Sequence, residues 1–396
     1  MCRLPTFIQN LLVLLLFSGC LSVSVASSEA MPELEMVYST DLFKAGVQFL
    51  SFSEDGNTFV AGGIFDGVGI FRADDYALLE RYYERDDSST PTAIIISTGH
   101  FDANTWYYTA TTHIPSSKQS VTHIRTIKPS QEVAQYEFEY GNEDLVAANR
   151  NYLAYSAKRH NGTLIDRRTG EEYPIKTVDA FSGFSRFELT RSNRVLSAAG
   201  WPSAEKPMLD DPLHQQTQTL DGYVTFSPDE QYAVDLNGFR CKLLKLNGKK
   251  VVPLKKQKVV GHCSGLLFKT EKVAKFSPDS KMFAVVADQN VRVYRVEPFQ
   301  LLLERKMAAS VITLVGSSID LSDTGWLAVV DKRGFLYAWN ATTTNLAGQY
   351  RLRDTGEEEN PHFSVLLAIQ PGGNKLLTNY NGLTVFSLPE RTSKPN

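Results

Sequence analysis

The polar and apolar positions of "KFSPDSKMFAVVADQNVRVYRVE", residues 275–297, define a short structural sentence. Ser277-Pro278-Asp279-Ser280 is a turn: the proline ring presets φ at its second position, and Asp279 can bond the backbone two residues on. Met282 to Ala287 is apolar without a break, where a strand covered on one face would alternate, so the run predicts a strand with protein on both sides. A polar turn at Asp288-Gln289-Asn290 leads into Val291 to Val296, a β-branched stretch with charge entering at Arg292 and Arg295. It reads as a strand nearer a sheet edge.

The same grammar recurs. "LSFSEDGNTFVAGGIFDGVGIFRAD" repeats it from Leu50, "VTFSPDEQYAVDLNGFRCKLLKL" from Val224, "IDLSDTGWLAVVDKRGFLYAWN" from Ile319 and "LAIQPGGNKLLTNYNGLTVFSL" from Leu367. Weaker copies begin at Ile94, Leu145 and Phe187. Taking the residue two before each first turn gives anchors at Phe52, Ile96, Ala147, Leu189, Phe226, Phe276, Leu321 and Ile369, spaced 37 to 51 residues apart. A period of roughly 45 residues with three or four strands per unit is the range of β-propellers, whose blades bury their faces only by stacking in a ring. The expected fold is therefore all-β, an eight-bladed propeller of antiparallel meanders, with seven blades as the alternative count. Glu35 to Ser39 is expected to close the ring as the outer strand of the last blade, which removes an open edge.

The better copies resemble WD40 repeats: Gly261-His262 precedes the "FSPD" copy, and Trp339-Asn340 stands where that family has Trp-Asp. Other copies end in Phe71-Arg72, Tyr294-Arg295 and Phe386-Ser387, so the hydrogen-bond network of the family is mostly missing. "GFLYAWNATTTNLAGQY" and "GTLIDRRTGEEY" also resemble the outer strands of quinoprotein-like propellers. Both resemblances imply a scaffold fold that hosts many activities.

The first residues differ in kind. Arg3 precedes an unbroken apolar run from Leu11 to Phe17, too short to span a bilayer and suited to a signal peptide, expected over residues 1–26. Phe17-Ser18-Gly19-Cys20 resembles a bacterial lipobox, with cleavage before Cys20 and a lipid on its thiol. Ser24-Val25-Ala26 offers an ordinary cleavage site instead. A single propeller domain is expected over 35–390 and a tail over 391–396. Either cleavage predicts export, as a periplasmic or cell-envelope lipoprotein or as a soluble secreted protein. Outside the leader only Cys241 and Cys263 remain, a candidate disulfide within one blade or two buried thiols. The net charge of −3, with signs mixed along the chain, argues against a nucleic-acid partner.

Local motifs for catalysis are missing from the sequence: no C-x-x-C, no G-x-S-x-G, no phosphate-cradling glycine loop and no closely spaced histidine pair. No catalytic, cofactor-binding or metal residue is therefore assigned, and no cofactor is expected. His262 reads as a strand-ending histidine. Asp210-Asp211 and Glu357-Glu358-Glu359 read as solvated acidic loops. Lys249, Lys250, Lys255, Lys256 and Lys258 flank a hairpin and read as a soluble hairpin arm, with an anionic surface partner as the alternative. Trp106, Tyr107, Tyr108 and Trp201 are candidates for a partner surface, with inter-blade packing as the competing reading. Asn161-Gly162-Thr163 and Asn340-Ala341-Thr342 are glycosylation sequons. The expectation is a monomeric, non-catalytic scaffold binding an unidentified protein partner and held at a membrane by its N-terminal lipid. The alternative is an enzyme or ligand binder using the mouth of the central channel.

Overall fold

Every residue of the strand Met282–Ala287 is buried, and the cover comes from two directions. Successive side chains of a strand point to opposite faces. Phe283, Val285 and Ala287 pack with Tyr232, Val234 and Leu243 on one side. Met282, Ala284 and Val286 pack with Ile319, Leu327 and Trp339 on the other. A sheet sandwiched in this way cannot be an outer layer. It is one blade among several, and the absence of polar alternation in the sequence is the trace of that double burial.

In the computed structural model the described residues are 32–389, apart from 44–45, 64–66, 83–92, 103–104, 115–118, 127–130, 140–144, 150, 159–160, 179–183, 200–205, 221–223, 237–239, 248–249, 263–271, 288, 312–317, 345, 353–364 and 381. Between 93 and 146 only Trp106 has a described side chain, and the side chains of 247–262 are likewise outside the description. Residues Glu33–Asn396 form one compact unit, distinct from Met1–Pro32.

The strands form eight four-stranded sheets, all antiparallel. Blades 1 to 7 run in chain order over 49–82, 93–139, 145–176, 184–219, 224–262, 272–306 and 319–351. Blade 8 takes three strands from 367–387 and its outermost from Glu35–Thr40, which pairs with Leu383–Ser387. The first and last parts of the chain thus share a sheet, and the ring closes by hydrogen bonds. Innermost strands of neighbouring blades touch at seven seams. At the seam between blades 4 and 5, Leu196 and Leu209 meet Val224, Ala233 and Leu244. The seam between blades 8 and 1 is the most aromatic, with Phe43, Phe52, Phe59 and Phe71 against Leu377 and Val385. Phe59 and Phe71 stack at 5.0 Å there.

All eight anchors fall in innermost strands. One local expectation is corrected. In blade 2 the first strand runs on to Asp102 and its hairpin partner starts at Thr105, so Ser97-Thr98-Gly99, the counterpart of the turn that begins at Ser277, is not a turn but strand. Asn290–Arg295, expected nearer an edge than Met282–Ala287, is the third strand of blade 6, with Gln300–Lys306 pairing outside it. The entry of the chain also goes beyond the expected closing strand. Before joining blade 8, Leu34 donates its N–H to Gln349 O of the outermost strand of blade 7 at 2.9 Å. Its side chain is buried among Val330, Leu352 and Leu388, so the N-terminal segment straps two blades.

Candidate functional site

The turns after the innermost strands are built alike. Ser277 Oγ donates to Asp279 Oδ1 at 2.7 Å and accepts from Met282 N at 3.0 Å. Ser53 with Asp55 and Thr58, and Ser227 with Asp229 and Tyr232, repeat the arrangement. The fourth residue of each turn is left-handed, at Gly56, Glu230 and Ser280. Glycine is required at 56, since a Cβ there would sit 2.7 Å from Pro371 O of blade 8.

That approach is one of a series. Asn149 Nδ2 donates to Asn193 Oδ1 across blades 3 and 4 at 3.0 Å. Ser192 N and Arg194 Nη2 donate to the Glu230 carboxylate across blades 4 and 5 at 2.6 and 3.0 Å. Asp229 N donates to Ser280 Oγ across blades 5 and 6, Gly372 N to Asp323 Oδ1 across blades 7 and 8, and Gln370 Nε2 to Gly56 O across blades 8 and 1. Five seams are thereby stitched turn to turn on one face of the ring. The Arg194–Glu230 pair is nearly fully buried, where an ion pair missing one partner costs about 3–5 kcal/mol.

These turns carry a pH dependence. The Ser53 hydroxyl, with the Asn57 N–H, holds the Asp55 carboxyl below its ordinary range. At Asp279 burial pushes upward, but the Ser277 hydroxyl and the Lys281 N–H outweigh it and the net shift is downward. A folded-state value below the unfolded one stabilises the ionised fold, in full above about pH 4 and progressively less as pH falls through the folded value. Thermal melts should therefore show the parent losing stability below about pH 4 more steeply than Asp279→Asn. Parallel losses in the two proteins would remove Asp279 from this role.

The buried carboxylates hold the frame. Asp320, on the innermost strand of blade 7, accepts from Ile369 N of blade 8 at 2.7 Å and lies 3.4 Å from Lys275 Nζ of blade 6. It ties three consecutive blades at the inner wall. Asp331 accepts from the N–H groups of Arg333 and Phe335 and from the Tyr337 hydroxyl, closing a hairpin of blade 7. Burial, with the Asp331 charge second, raises the Tyr337 phenol above its usual value. Asp210 and Asp211 are a correction: they are buried in the strand Met208–Asp211 and not in a solvated loop. Asp210 accepts from Lys176 N of blade 3 and from Thr217 Oγ1. Asp211 caps the short 3-10 turn Pro212–His214, accepting from His214 N and lying 2.8 Å from His214 Nδ1. Among the described residues no three ligand-type side chains converge on a cation position.

Of the candidate partner residues, Trp106 is corrected. It is 4% exposed and packs with Phe49, Val60 and Val68 at the seam of blades 1 and 2. Tyr107 and Tyr108 follow in the same strand with side chains outside the described residues, and Trp201 lies outside them altogether. Cys241 is buried and disulfide-bonded. Cys263 is outside the described residues, but His262, one position before it, pairs with Arg240, one before Cys241. Cys20 and Glu357-Glu358-Glu359 are outside them as well. His262 ends the outermost strand of blade 5. The second sequon is closed to modification: Asn340 is buried, and its Oδ1 accepts from Thr342 N, Thr342 Oγ1 and Thr343 N.

Solved structures share this architecture. The chain is similar to the computationally designed Ika8 protein, with a TM-score of 0.60 and 15% identity over 90% of this chain and 100% of that one. It is similar to the C-terminal WD40 domain of Sif2, with a TM-score of 0.59 and 11% identity over 91% and 99%. It is also similar to a chain solved in the complex of KlAtg21 with the coiled coil of AgAtg16, at 0.53 and 13% over 77% and 99%. No protein-family model and no curated protein matches the sequence. The fold is an all-β propeller, as in these structures.

Proposed function

We propose that the protein is an exported, non-catalytic WD40-like scaffold that binds a protein partner while a lipid on Cys20 holds it at a membrane. The observation that carries the scaffold reading is the stitching of the turns. Five seams joined by inter-blade hydrogen bonds fix the surface segments before any partner arrives, and a pre-ordered surface loses little entropy on binding. The solved complex of a similar propeller with a coiled coil gives one example of such use. Support for the anchor is the placement of Cys20 after the apolar run Leu11 to Phe17 and the small pair Ser18-Gly19. Each buried methylene of an acyl chain contributes about 0.8 kcal/mol, so the several chains of a lipidated cysteine hold a folded ring at a bilayer.

Fractionation tests the anchor. The parent should sediment with membranes, and Cys20→Ser should leave the protein soluble or its precursor uncleaved, with mass spectrometry of the parent reading an acylated Cys20. An unmodified N-terminus at Ser27 defeats the anchor. Cross-linking in intact cells tests the scaffold: a discrete heteromeric species is expected, and recovery of monomer alone argues against it.

A further inference from the structure

Blade 5 differs from the others at its rim. Its outer hairpin pairs Arg240–Asn247 with Lys250–His262, and the second of these is 13 residues long. The outermost strands of the remaining blades have four to nine residues. Residues 240–262 contain eight of the chain's 41 lysines and arginines and none of its 44 acidic residues. The rest of the chain has 33 against 44, a net charge of −11, so a strongly basic edge is set on an acidic body.

Lysine on an edge strand is a common guard against aggregation, and one or two would serve. Elsewhere on the rim the signs are mixed, as in Glu80-Arg81 of blade 1 and Glu304-Arg305 of blade 6. A one-sign hairpin repels itself, and like charges across a ladder destabilise it, so this composition points to a ligand of opposite sign. The ladder is also broken in a particular way. Leu243 pairs with Lys258 and Leu244 with Pro253, leaving Leu254-Lys255-Lys256-Gln257 out of register. The lysine-rich excursion lies in the middle of an outermost strand, and no strand among the described residues pairs beyond it.

The molecule itself demonstrates what such an edge accepts. Its own N-terminal segment pairs in parallel with the outermost strand of blade 7 through Leu34 N and Gln349 O, then completes blade 8. Extended chain added at the rim is thus a contact this ring already makes. We propose that the outer edge of blade 5 is the partner site, and that it takes an acidic, extended protein segment as an added strand, main chain against main chain with carboxylates against the lysines. This inference rests on the scaffold reading and gives its partner a site and a chemistry.

The test uses the full chain and a fluorescein-labelled ten-residue peptide of alternating glutamate and threonine, followed by anisotropy at low salt. Saturable binding is expected, with no binding of the lysine–threonine counterpart. The triple variant K255E/K256E/K258E should bind roughly tenfold more weakly or worse, about half a kcal/mol or more for each ion pair lost. Peptide N-methylated at alternate residues, which cannot add to a ladder, should also lose affinity. Equal binding by the triple variant with an unchanged melting temperature would overturn the site, and equal binding by the methylated peptide would overturn strand addition. Binding to phosphatidylglycerol vesicles without binding to peptide, or self-association in sedimentation, would replace the acidic segment by another occupant. If cells still yield a cross-linked partner while the peptide fails, the scaffold reading stands and this inference falls.

Discussion

Val285→Asp yields no folded ring. Val285 is 3% exposed at the middle of Met282–Ala287, packed on Tyr232, Val234 and Phe276 where blade 6 meets blade 5. The substitution removes an aliphatic contact worth about 1.5–3 kcal/mol and buries a carboxylate in this hydrophobic cluster, at several kcal/mol more. A domain is stable by about 5–15 kcal/mol in total, so the two losses together consume most of that margin. The expected result is aggregation on expression, or a melting temperature far below the parent's. Val285→Ala supplies the control: it leaves a cavity without a charge and should melt lower yet remain folded. Melting of the aspartate variant within a degree or two of the parent would mean that this strand does not lie between two blades.

Removing the N-terminal strap has a comparable effect. A chain beginning at Asp41 lacks the whole outermost strand of blade 8 and the partly buried Val37 and Tyr38, which pack on the seam with blade 1. Five register pairs from Glu35↔Ser387 to Thr40↔Leu383 disappear with it, each ladder bond contributing about 1 kcal/mol. The strand Leu383–Ser387 becomes an open edge, which invites association with other chains. A chain beginning at Glu35 keeps the strand but loses Leu34, a buried leucine worth about 2 kcal/mol, and should stay soluble with a lower melting temperature. Size-exclusion chromatography and thermal melts of the two truncations separate the cases. Equal stability of the Asp41 chain and the parent would show that the strap is dispensable.

Much of the ring is legible in the sequence because its signals are local. Pro278 and Asp55-Gly56 mark turns, and the apolar runs beside them mark strands covered on both faces. The anchors give eight units, and the unpaired strand at Glu35 gives the closure. Blade 2 slips because Gly99 imitates a turn inside a strand that continues to Asp102. The contacts that stitch the turns are not legible. Ser192 and Glu230 are 38 residues apart, and Gly372 and Asp323 are 49 apart, and nothing in either stretch alone specifies its partner. The errors at Trp106 and Asp210-Asp211 share one cause. A large aromatic or an acidic pair looks like surface chemistry until the neighbouring blade supplies apolar cover for the ring, or N–H and hydroxyl donors for the carboxylates. Lys249 to Lys258 were readable as a basic hairpin. The structure adds that Lys250, Lys255, Lys256 and Lys258 belong to the longest outermost strand among the described residues and to its break in register.

A cross-link between the two ends of the fold tests ring closure most directly. Ser39 and Thr384 are register partners, with their hydroxyl oxygens 3.3 Å apart. In the double variant Ser39→Cys/Thr384→Cys, mild oxidation should join the two positions within one chain, read as a single linked peptide by mass spectrometry, and should raise the melting temperature, since the link closes a loop of hundreds of residues. A folded variant in which these cysteines stay unlinked, or link only between two chains, would contradict a ring closed by its own N-terminal strand.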